Sequence, residues 1–141
     1  MAIIKRETDY ALRVLVRLAG TDQVLPVSEL AAGEEVPELF LRKIMQRLHR
    51  AGILESRQGP FGGYRLARPA RDVSLLDVVE TVQGPLVMNE CLGTPEICRR
   101  IRNCPVRAQL SCVQVELNAR LGEVSIADML EAAQVREEAT K

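Results

Sequence analysis

The sequence predicts a mainly α fold with a small β-hairpin and, towards its end, a long helix that is apolar on two sides. Three observations predict it. Apolar residues recur at helical spacing through most of the chain. One turn-rich run, RQGPFGG, separates two short strand-like runs. After Pro105 the apolar residues form two displaced stripes, where a surface helix normally has one.

The elements follow in order. From Glu7 to Gly20, Tyr10, Ala11, Val14, Leu15 and Leu18 form one helical stripe, and Gly20 is a stop signal. Val27 to Gly33 reads as a short second helix, preceded by Pro26, with Ser28 as a candidate cap. Pro37 suits the first turn of a third helix running to about Ala51. Its apolar side is Leu41, Ile44, Met45 and Leu48; its other side carries Arg42, Lys43, Gln46, Arg47 and Arg50. Two helices joined by a short turn, the second studded with bases, match a helix-turn-helix. Ile53 to Ser56 and Tyr64 to Leu66 then form the hairpin, which directly after a basic helix reads as the wing of a winged helix.

Ser74 to Gln83 is a fourth helix, stopped by Gly84-Pro85. The long helix is expected from Pro105 to about Leu121. One stripe is Val106, Leu110, Val113, Leu117 and Leu121; the other is Ala108, Cys112, Val115 and Ala119. Two apolar sides need two partners: the chain's own domain and the same helix of a second copy. A homodimer on a two-fold operator of double-stranded DNA is therefore expected. Ser125 opens a last helix, Ile126 to Ala133, and the tail reads as frayed. The expected parts are a winged helix-turn-helix DNA-binding domain (1–84), a cysteine-containing loop (85–105), and a dimerisation helix with a C-terminal helix (106–141).

Net charge is zero but unevenly spread. From Pro37 to Arg71, eight bases oppose two acids, a local charge of +6, whereas from Glu116 onward six acids oppose three bases. One basic face suits phosphates. Arg42 and Lys43 are candidates to read guanine edges and Gln46 adenine. Arg47, Arg50, Arg57 and Arg65 suit phosphate contacts, and Tyr64 either stacks in the wing or touches a phosphate. No run of about 18 apolar residues suggests a membrane span, and the first residues do not read as a signal peptide, so the expected location is cytoplasmic.

In that compartment four cysteines suggest metal or redox chemistry over a disulfide framework. Cys91, Cys98 and Cys104 lie in ECLGTPEICRRIRNC, broken by Gly93 and Pro95. Three thiols on one bent segment suit soft iron. Arg99, Arg100 and Arg102 would offset their negative charge. Cys112 lies about 12 Å beyond Cys104 on a shared helix and reads as a small packing residue.

The strings TDYALRVLVRLA, LFLRKIMQRLHRAGIL, GPFGGYRLARP, SLLDVVETVQGP, the cysteine triad and SIADML together resemble the Rrf-type family of winged-helix regulators that includes IscR and NsrR. The resemblance runs from about residue 5 to 133. It implies a homodimer joined through the long helix, with an iron–sulfur cluster on the three loop cysteines controlling DNA affinity. IscR-type members supply a histidine three residues after the third cysteine; here that residue is Arg107, which stays protonated and cannot ligate. NsrR-type members supply an aspartate from the partner's first helix, which corresponds to Asp9. The resemblance thus implies three thiolates plus Asp9, holding 4Fe-4S ahead of 2Fe-2S, in a transcription regulator that senses nitric oxide, redox state or iron. Without the resemblance, Asp9 reads first as a first-turn acid favoured by the helix dipole. Alternatives are a cluster-free regulator acting by thiol oxidation or a protein partner, and a structural zinc module. An enzyme is not expected: there is no C-x-x-C motif, and His49 is the lone histidine.

Overall fold

The computed structural model describes residues 2–141. It contains α1 (Arg6–Ala19), α2 (Val27–Gly33), α3 (Glu38–Arg50), β1 (Leu54–Arg57), β2 (Gly63–Leu66), α4 (Leu75–Gln83), α5 (Glu90–Gly93), α6 (Pro105–Glu123) and α7 (Ile126–Thr140). Short 3-10 turns occupy Ala70–Asp72 and Pro95–Ile97. This is a winged helix-turn-helix followed by a long helix, as the sequence predicts.

The core is built from the predicted stripes. Ala11, Val14, Leu15 and Leu18 of α1 meet Leu41, Ile44, Met45 and Leu48 of α3, with Leu30, Leu54 and Val78 closing the sides. Ile126 of α7 is fully buried in this same core, so the last helix clamps back onto the first. The clamp begins with paired hydrogen bonds, Leu75 N–H to Val124 O (2.7 Å) and Ile126 N–H to Val73 O (2.9 Å). Ser74 opens α4 and Ser125 opens α7, each through a capping box with the acid three residues on. Hydrogen bonds from Ser125, first its backbone amide and then its hydroxyl, hold the Asp128 carboxyl below its ordinary value.

Three details differ from the sequence reading. Ser28 lies inside α2, which starts at Val27 behind Pro26 without a side-chain cap. The tail is helical to Thr140: after Ala133 come Arg136, two glutamates and Ala139, good helix formers with no breaker among them. The cysteine connector contains short helical turns, one closed by Thr94 N–H on Glu90 O (2.8 Å).

The hairpin is antiparallel, with Glu55 opposite Arg65 and Arg57 opposite Gly63. Leu25 bridges to the other side of β2, exchanging both backbone hydrogen bonds with Tyr64 (2.9 and 3.0 Å). This lashes the wing to the entry of α2. The close approach requires glycine at position 63, where φ is +150° and a Cβ would overlap the Leu25 carbonyl.

Candidate nucleic-acid interface and cysteine loop

The polar side of α3 faces outward as predicted. Leu39, Lys43, Gln46 and Arg50 follow one another at helical spacing and are all exposed. Arg42 lies beside them, paired with Glu38 one turn earlier. Leu39 was missed by residue-type reasoning, yet it is 78 % exposed at the start of the helix. Its spacing to Lys43 was the available signal. An apolar side chain there suits a thymine methyl.

The basic residues separate into two groups. Among the described residues Lys43, Arg50 and Arg57 form no ion pair, so their charges are unopposed. Arg65 is paired across the hairpin with Glu55. Arg47 is turned onto the fold: it donates to the Val82 carbonyl (2.8 Å) and reaches the Glu7 carboxylate (3.4 Å). It ties α3 to the end of α4. Tyr64 is half-buried at the base of the wing, edge-on to His49 with ring centres 6.2 Å apart. His49 is itself fixed by a 3.0 Å contact from Nδ1 to the Leu54 carbonyl. A cleft of about 410 Å³ separates the wing from the start of α2 and α3, with Ser28, Arg42, Arg57 and Tyr64 among its walls. Its lining offers a phosphate backbone two guanidinium groups, on Arg42 and Arg57, and the hydroxyls of Ser28, Ser56 and Tyr64.

The second candidate site lies beyond α4. The last turn of α4 is held at both sides. Gln83 Oε1 accepts from the Lys5 amide (3.0 Å) and from the hydroxyl of Thr8 (2.7 Å), a fully buried polar residue. The Gln83 amide donates to the Ile3 carbonyl (3.0 Å). Val82, next to it, receives Arg47. Residues 84–104 then run to α6, anchored near their start by Met88 N–H donating to Gln114 Oε1 (2.7 Å).

Cys91, Cys98 and Cys104 are free and half-buried on this connector. Cys104 caps α6, its Sγ accepting from the Arg107 amide at 3.4 Å. Thus the backbone of Arg107 contacts the third cysteine. The Arg107 Nε is buried without a hydrogen-bond partner. Asp9 on α1 is half-exposed and paired with Arg13 (3.1 Å). By chemistry the donor set fits an iron–sulfur group, since three free thiols share one segment. Among the described residues, however, one chain does not bring three His, Cys, Asp or Glu side chains together as a metal site.

The long helix α6 buries none of its residues. Leu110, Leu117 and Leu121 are half-covered, whereas Ala108, Cys112, Val115 and Ala119 lie open. Cys112, expected as packing, has no cover in the single chain. Among the described residues no helix is long and apolar enough to cross a membrane.

Comparison with known proteins agrees with this architecture. The chain is 39% identical over 109 residues to Protein aau3 of Rhizobium meliloti strain 1021, covering 76% of this chain and 71% of that one. It is 29% identical over 140 residues to an rrf2-like HTH-type transcriptional regulator of Rhodobacter capsulatus, covering 92% and 93%. Among solved structures it is similar to CymR, the global cysteine regulator of B. subtilis, with a TM-score of 0.76 at 19% identity, over 94% of this chain and 98% of that one. It is similar also to T. potens IscR, with a TM-score of 0.74 at 22% identity, over 92% and 87%. The model of the Rrf2 family, described as iron-dependent transcriptional regulators, matches residues 4–132, and the chain belongs to that family.

Proposed function

We propose that this transcription regulator binds double-stranded DNA as a homodimer through α3 and the wing, and that an iron–sulfur group sets its grip. Cys91, Cys98 and Cys104 would hold the group, with Asp9 of a second copy as the fourth donor. When bound, such a group supplies a centre sensitive to oxidants, nitric oxide and iron supply. The chain's own residues do the rest. The observation that carries this reading is the fixing of the last turn of α4. The turn that launches the cysteine connector is hydrogen-bonded to α1 through Gln83 and to the recognition helix through Arg47. A connector held in one arrangement bears on both helices through these bonds; a released connector does not. The two arrangements then present the basic faces of the two copies at different separations. The family's description as iron-dependent supports the same reading.

Anaerobic protein is expected to change its affinity for a selected operator duplex by about tenfold or more after nitric oxide or air exposure, the scale of ordinary allosteric coupling. Cys98→Ser should show no such response. An affinity that stays constant through exposure, with the wild-type thiols unaltered, rules the proposal out. A second reading rests on Cys91, Cys98 and Cys104 being free and half-buried on one connector. In it the half-buried thiols themselves are the sensor. Mass spectrometry of native dimer after mild peroxide separates the two, since the thiol reading requires a Cys91–Cys98 or Cys98–Cys104 disulfide.

A further inference from the structure

Phe61 is the most exposed large apolar residue among those described, at 89 %. It sits at the tip of the wing in a turn closed by Gly62 N–H on Gly59 O (3.0 Å). Pro60 fixes the first central position of that turn, and Phe61 takes the second. A Cβ at position 62 would overlap the Arg57 carbonyl, so glycine there is part of the geometry. The ring is thus held outward on a stiff support, away from the core.

Its surroundings indicate what it meets. Gln58, Gly59, Pro60 and Gly62 present no other bulky apolar group, so this patch is far too small for a protein interface. The adjacent cation is Arg57, unpaired, on the rim of the cleft that separates the wing from α3. An apolar plate beside a free guanidinium suits the minor groove. There the cation takes the phosphates or the narrow groove wall, and the ring presses between base steps.

We propose that Phe61 is a wedge that the wing sets into the minor groove, discriminating DNA by how readily a base step opens. The inference rests on the DNA-binding reading of this face. A test uses a duplex enriched by the wild-type protein from random-sequence DNA, with 2-aminopurine placed in turn at each adenine. Wild-type binding should change the fluorescence at one step in each half-site. Phe61→Ala should abolish that change and weaken binding about tenfold, the scale of one aromatic side chain's burial. The salt dependence should keep its slope, since no charge is removed. Phe61→Leu should retain most of the affinity. Arg50→Ala, at a position assigned to phosphate, gives the contrast: the fluorescence change remains while the slope falls by about 1.8, roughly 0.9 for each of the two copies.

Phe61→Ala with wild-type affinity and signal overturns the wedge. So does a fall in salt slope, which would make Phe61 only a support for the wing's charges. If Lys43→Ala and Arg57→Ala also bind like the wild type, the nucleic-acid reading of this face fails, and the wedge with it. Unfolding by urea should be indistinguishable for wild type and Phe61→Ala, because the ring has no buried surface to lose.

Discussion

Val115→Asp is expected to leave each chain folded and to abolish its pairing. Val115 is 66 % exposed on α6, in line with Ala108, Cys112 and Ala119, on the stripe that nothing in the single chain covers. A carboxylate there meets water in the monomer and costs little. In a paired interface the same carboxylate would be buried without a partner, which dimers tolerate poorly. Sedimentation at micromolar concentration should therefore show a monomer with unchanged helical signal. Operator affinity should fall by about 100-fold or more, because two linked half-site contacts become independent. A Val115→Asp protein that sediments as a dimer and binds operator like the wild type would remove α6 as the pairing surface.

Leu48→Ala has the opposite signature. Leu48 is fully buried between α1, α3 and β1, and its carbonyl receives the Ile53 amide at 3.0 Å where the chain turns into the hairpin. Truncation leaves a cavity beneath the recognition helix and is expected to cost about 2–5 kcal/mol. Against a total of roughly 5–15 kcal/mol for a domain, that is a large share. Urea unfolding should show a lower midpoint with an unchanged slope. Leu39→Ala, the same substitution nine residues earlier on the same helix, should change stability by less than about 0.5 kcal/mol, as is usual for surface positions. The contrast separates the two faces of α3. Equal costs at the two positions would mean that the helix is rotated from the arrangement described.

The legibility of the sequence followed from the range of each interaction. Short-range signals were sufficient for α1, α3 and α4, whose apolar spacing decides which side is buried, and for the Ser74 and Ser125 caps, whose acid partners lie three residues away. The wing was legible because RQGPFGG admits little besides a turn. Arg47 was not. Its type and position suggest a phosphate contact, but its partner, the Val82 carbonyl, lies 35 residues away and only folding brings it near. Gln83 escaped notice for the same reason, since its role depends on Thr8 and Lys5 across the chain. Leu39 and Phe61 are of core residue type; spacing to Lys43 is the sequence signal for Leu39, and only exposure distinguishes Phe61. The cysteine triad was plain as chemistry, but among the described residues no three His, Cys, Asp or Glu side chains come together as a metal site, and spacing alone cannot specify such an assembly. The open stripe of α6 was visible in the sequence as a second apolar side and remains uncovered in the fold.

Iron and acid-labile sulfide, assayed on protein purified without oxygen, test the sensing proposal most directly. The account predicts roughly two to four irons per chain with matching sulfide, and loss of both in Cys98→Ser. A folded, DNA-binding wild-type protein that contains neither iron nor sulfide would contradict it.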